Sequence, residues 1–168
     1  FWRRFVTEIL IWGLLAMSSD ILIGYTGMVS FGHSVFFGLG IYGAAAALLS
    51  VKPPNLWLAL LYGLAGAGLA AVFVAYFSTR LRDIYFAITT LVFSQIFYVI
   101  IFTWTEVTGG ENGLQGIPKN LGPLTDTINA DSFYFYYAAL PIILVGVFIA
   151  WRTVNSPFGR VLVAIRDN

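Results

Sequence analysis

Five apolar stretches, each long enough to cross a bilayer, crowd into 168 residues and leave this chain few options. They run over 5–23, 29–50, 56–77, 84–102 and 133–151, within the roughly 17–25 residues that a spanning helix needs. Of 9 basic and 8 acidic side chains, only Glu8 and Asp20 fall inside them. Unpaired strand edges do not survive in hydrocarbon, and these stretches lack the alternation of an outer-membrane barrel. The expected fold is an all-α membrane protein, a polytopic transmembrane helix bundle with about five spans and one broken or re-entrant Gly-rich segment. Residues 1–168 read as a single membrane domain. A first residue of Phe1 and a last of Asn168, in a charged stretch, read as a piece truncated at both ends.

Composition removes several functions. A net charge of +1 offers no basic stripe for nucleic acid. One histidine and no cysteine provide no transition-metal or iron–sulfur cluster and no disulfide. No HExxH or nucleotide-phosphate loop is present, and no serine has an evident acid–base partner set. The glycines of 108–113 lack the lysine that a phosphate loop needs. No cofactor is therefore expected on this chain, and it reads as something other than an enzyme.

Lys and Arg in short loops are retained on the cytoplasmic side. Arg80 and Arg82 share one short loop, and Arg152, Arg160 and Arg166 lie in the tail 152–168, two spans later. Both groups can face the cytoplasm together. The long loop 103–132 then faces outward, with Lys119 against Glu106, Glu111, Asp126 and Asp131. Arg3 and Arg4 fall outside on this count, unless another helix precedes them or 29–50 is re-entrant.

Six glycines between Gly24 and Gly43 weaken helix propensity by about 1 kcal/mol each relative to Ala. Irregular backbone at membrane depth survives where protein covers it or where it lines a wet cavity. This segment is therefore either a broken pathway element or a Gly-rich packing face. Two roles fit His33 within it: a substrate or proton contact, or a neutral ring that locks the break through one hydrogen bond. Asp20 beside Ser18 and Ser19 fits the headgroup boundary. In the fourth span Thr89, Thr90, Ser94 and Gln95 form a polar patch suited to interhelical hydrogen bonds or to a pathway. Ala59, Gly63, Ala67, Ala71 and Ala75 recur every fourth residue as a small-residue stripe for close helix packing. Pro141 predicts a kink in the fifth span.

Four patches in order carry a resemblance to a known family. Gly24-Tyr25-Thr26-Gly27 followed by Ser30, Gly32, His33, Phe36, Gly38, Gly40 and Tyr42 resembles the signature of the permease subunits of branched-chain amino acid ABC importers. The run 84–91 resembles the family's fourth-span pattern, and 108–118 resembles the external loop of its LivM-type members. Ser156-Pro157-Phe158-Gly159-Arg160 with Ala164-Ile165-Arg166-Asp167 resembles the approach to the loop that docks on the ATPase. Met28 and Asp83 depart from the commoner residues of the pattern.

The resemblance implies a permease fragment about half the family's length, in a bacterial or archaeal cytoplasmic membrane. Its partners would be a second, LivH-type permease, two cytoplasmic ATPase subunits that hold ATP and Mg, and an extracytoplasmic substrate-binding protein. It places Gly24, Tyr25, Gly27, Ser30, Gly32, His33, Thr90 and Gln95 along the substrate path. Ser156, Pro157, Gly159, Arg160 and Arg166 would couple to the ATPase. Related importers carry urea, short amides or other amino acids. A secondary transporter or channel is a different class, needing buried charges for ion coupling, of which the spans offer two.

Overall fold

A computed structural model describes residues 2–52, 54–81, 83–117 and 132–167. Arg82 and the loop residues 118–131, with Pro118, Lys119, Asp126 and Asp131, lie outside the described residues. The elements are α1 (Trp2–Asp20) continuing into a π-helical turn (Ile21–Tyr25), α2 (His33–Ser50), α3 (Leu56–Ser78) and α4 (Asp83–Thr103). After them come α5 (Thr105–Thr108), a 3₁₀ turn (Gly110–Asn112), α6 (Ser132–Val154) and α7 (Pro157–Asp167). No strand occurs among the described residues. Five helical segments are long and apolar enough to span: Phe5–Tyr25, His33–Ser50, Leu56–Ser78, Ile84–Thr103 and Tyr136–Val154. The chain is a multi-pass membrane protein. Its helices stay largely bare within the chain, with Leu69 74% and Ile84 72% exposed, as suits surfaces that meet lipid instead of water.

The second span begins later than hydropathy indicates. Residues 27–30 are irregular, Phe31 bends, Gly32 turns, and α2 starts only at His33. Hydropathy registers apolar side chains but not backbone angle, and Gly27 takes φ +72°, which a continuous right-handed helix excludes. The first span gains two residues through its π turn. The loop after α4 holds its own local structure, α5 and the 3₁₀ turn, where sequence indicated only a connection.

By contacts the chain divides into two compact units, Phe1–Ser30 with Ala130–Asn168, and Phe31–Asn129. In the second unit, α2 and α3 form an antiparallel hairpin whose backbones nearly touch. A Cβ on Gly43 would stand 2.7 Å from the Tyr62 carbonyl oxygen, one on Gly66 3.0 Å from that of Leu39, and one on Gly63 3.0 Å from that of Gly40. Asn55 caps α3 by accepting the Trp57 N–H at 2.9 Å. The face toward α2 runs through Ala59, Gly63, Gly66, Ala67 and Ala70, with Ala59 and Ala70 buried and Ala71 half-buried, while Ala75 is exposed. A strict four-residue repeat drifts about 40° per step around a 3.6-residue helix, so a stripe starting at Ala59 leaves the face before Ala75. Phe73 and Phe77 meet Phe93 edge-on and tilted at 5.7 and 5.8 Å, joining α3 to α4.

In the first unit α1 packs on α6, where a Cβ on Gly146 would press into the Leu14 side chain at 2.8 Å. Helix α6 runs through Pro141. A two-residue elbow, Asn155 and Ser156, then turns the chain into α7. Both α1 and α6 run toward this end, since α7 reaches the close of the π turn.

Candidate functional site

In the first unit the break is built around Gly24 and Gly27. The π turn ends as Gly27 N–H donates to Ile23 O at 3.1 Å. The Thr26 hydroxyl, 5% exposed, donates to Leu22 O and accepts the Met28 N–H at 3.4 Å. These bonds satisfy carbonyls that the helix end would otherwise orphan, Ile23 O and Leu22 O, and one amide beyond it, Met28 N–H. Arg166 of α7 donates from Nη1 to the Gly24 carbonyl at 2.9 Å, and its Cγ lies where a Cβ on Gly27 would be 2.9 Å away. A cation on carbonyls at a helix C-terminus is electrostatically favourable. Asp20 reaches the same place: its Oδ1 would stand 3.0 Å from a Cβ on Gly24. Tyr25 and Ser30 are half-buried.

The elbow that delivers Arg166 follows from local chemistry. Ser156 Oγ donates to Thr153 O at 2.6 Å and accepts the Gly159 N–H at 3.3 Å. It thus caps α7, with Pro157 at the first helical position, where its missing N–H costs nothing. Gly159 is buried, and any Cβ there would collide with the Val154 carbonyl oxygen. On α7 Arg160 is exposed, beside the exposed apolar Phe158, Val161 and Ile165.

In the second unit Thr90 is 1% exposed and spent on structure. Its Oγ1 donates to Ala87 O at 2.9 Å and accepts the Phe31 N–H at 3.1 Å. A residue read as pathway-lining thus holds the start of α2. Gly32 is buried, and His33 opens α2 half-buried against Phe36, ring centroids 6.1 Å apart. Its Nδ1 is buried without a hydrogen-bond partner among the described residues. Gln95 is exposed and is not among the residues that line the cavity between α2 and α4.

One turn beyond Thr90 the wall changes character. Ser34 and Ser94 exchange a hydrogen bond at 2.9 Å, and from there a cavity of about 450 Å³ extends between α2 and α4. Val35, Gly38, Tyr42, Phe97, Tyr98, Ile101 and Phe102 line it, and Gly110 and Glu111 form its far end. Helices α2 and α4 run parallel here, since Phe31 meets Thr90 and Ser34 meets Ser94. The far end is held by Thr108, which donates to Trp104 O at 2.8 Å and accepts the Gly110 N–H at 3.2 Å. Gly109 at φ +76° lies so near Gly113 O that no Cβ fits. Of these, sequence reasoning offered Ser94 within a polar patch suited to a pathway, named Tyr42 and Glu111 without placing them on the path, and missed Ser34. The usable signal was that Ser34, Gly38 and Tyr42 share a helical face, as do Ser94, Phe97, Tyr98 and Ile101.

No group of histidine, cysteine or carboxylate side chains able to hold a metal occurs among the described residues. The arrangement presents a polar-ended, aromatic-walled cavity and a tied backbone break, features that suit passage or binding of a small solute.

Comparison with known proteins agrees with this geometry. The family described as branched-chain amino acid transport system / permease component matches residues 3–168. The high-affinity branched-chain amino acid transport system permease protein LivM of Salmonella typhimurium is 29% identical over 185 residues, covering 96% of this chain and 43% of the relative. LivM of Escherichia coli is 27% identical over 183 residues with the same coverage. The chain therefore spans less than half the length of these curated relatives. No solved structure matches it. A family match across nearly every residue, on five spanning helices with a glycine-tied break, makes this chain a member of the branched-chain amino acid permease family.

Proposed function

We propose that this chain is part of the permease subunit of an ATP-driven importer for branched-chain amino acids in a bacterial or archaeal cytoplasmic membrane. The family match over 3–168 carries the reading. The chemistry is transport, and ATP with Mg is held by two partner ATPase subunits, since this chain shows no nucleotide loop. A second permease and an extracytoplasmic binding protein complete the assembly. Few charges lie inside the spans, Glu8, Asp20 and, near the end of the last span, Arg152, which favours a driving force supplied by partners over ion coupling. The break over 24–33 contributes to the path, and the elbow 156–166 couples it to the ATPases. The Arg166 bond to Gly24 O supports that second role, because displacement of α7 pulls directly on the break.

The test is reconstitution of the full-length permease with all partners in proteoliposomes. Leucine uptake is expected only with ATP, the ATPase subunits and the binding protein present. Uptake of urea in place of leucine reassigns the cargo, and uptake without ATPase subunits overturns the importer reading. In the same assay Arg166→Ala is expected to lower leucine moved per ATP several-fold, with a stability loss of only about 1 kcal/mol, the scale of one hydrogen bond. Unchanged stoichiometry removes Arg166 from the coupling route.

A further inference from the structure

The cavity between α2 and α4 has two chemically different ends. At one, the Ser34 and Ser94 hydroxyls satisfy each other at 2.9 Å. At the other stands Glu111, the one formally charged side chain among the residues that line it. Ser94 and Phe102 lie about 12 Å apart along α4 at ~1.5 Å per residue. The ammonium and carboxylate of an α-amino acid share one carbon, so a single molecule cannot engage both ends at once. The Glu111 end must be considered as a subsite by itself.

We infer that the Glu111 end of this cavity is a binding subsite for the α-ammonium group of an amino acid with an apolar side chain. This deepens the importer reading and rests on it. A carboxylate gives an ammonium group charge-assisted hydrogen bonds, about twice as strong as neutral ones. Beside it Phe102, Ile101 and Phe97 offer an aromatic and aliphatic wall for the rest of the molecule. The volume, about 450 Å³, falls within the range of small-molecule sites. The backbone that carries Glu111 is fixed, because the 3₁₀ turn is pinned by Thr108, which is 8% exposed, and by left-handed Gly109; Glu111 itself is exposed at the mouth of the cavity. A lone carboxylate falls short of the six to eight oxygens that calcium takes, so an organic ammonium fits it better than that metal does. A des-amino analogue brings its carboxylate to another carboxylate and is rejected.

The test uses the full-length permease assembled with its second permease and ATPase subunits in nanodiscs, without binding protein. Binding of L-leucine and of 4-methylpentanoate, the same carbon skeleton without the ammonium group, is measured by saturation-transfer NMR. Wild type is expected to prefer leucine by about tenfold, the scale of one hydrogen bond to a charged group. Glu111→Gln is expected to erase that preference, leaving 4-methylpentanoate unchanged or tighter, and Glu111→Asp to restore part of it. A preference that survives Glu111→Gln, or affinities for both ligands that fall together, overturns the subsite. ATP-driven leucine uptake by the same assembly with its binding protein separates the two readings. Robust uptake with no Glu111-dependent preference leaves the importer standing and the subsite refuted. A Glu111-dependent preference with no uptake leaves the subsite standing and the importer refuted.

Discussion

In the α2–α3 hairpin glycine removes bulk, whereas in the 24–32 break it supplies a backbone angle. Gly43, Gly63 and Gly66 have ordinary helical angles, and what they exclude is a methyl group pressed against a carbonyl 2.7–3.0 Å away. Gly27 sits at φ +72° and ends a helix. The first use gains dispersion along a length of helix, the main source of association where lipid is as apolar as leucine. The second is unfavourable by itself and persists because Thr26, Arg166 and, at the start of α2, Thr90 satisfy the groups it frees. One region is held by shape and the other by hydrogen bonds.

Substitutions in the full-length permease, read by thermal unfolding in detergent, can break this comparison. The largest loss is expected for Gly43→Leu, about 3 kcal/mol, because the obstructing atom is backbone and the helices must separate. If Gly43→Leu melts like wild type, the hairpin is not held by close approach. Next comes Thr90→Val, which keeps the volume but leaves the Phe31 N–H unsatisfied, at about 2 kcal/mol. Thr90→Ser, which keeps the hydroxyl, should recover most of that. Gly27→Ala should lose about 1–2 kcal/mol through the left-handed angle, and equal stability there would show that the break tolerates another geometry. The smallest effect has the opposite sign: a Cβ on Gly68 meets nothing within 4 Å. Gly68→Ala should therefore gain up to about 1 kcal/mol of helix propensity. A loss there would place another helix of the permease against that face.

Hydropathy located all five spans to within a few residues, because span length is set by bilayer thickness, a constraint visible one residue at a time. The glycine run likewise marked the break near its true position. The partners of the break were not legible. Thr90 reaches Phe31, and Arg166 reaches Gly24, across 59 and 142 residues of sequence. No local periodicity encodes such pairings. The cavity was half legible: its serines and aromatics stood in the right helical register. The turn that brings Glu111 to its far end depends on Thr108 and on left-handed glycines, whose geometry composition does not reveal.

The packing of α1 on α6 has a consequence for how the chain is made. The hairpin partners Gly43 and Gly63 are about twenty residues apart, so they can meet soon after α3 leaves the ribosome. Leu14 and Gly146 are about 130 residues apart. At roughly 5–20 residues per second, α1 waits on the order of ten seconds in the membrane with that face bathed in lipid. The Arg166 tie to Gly24 forms later still. The bilayer thus receives the finished hairpin before the tie between Arg166 and Gly24.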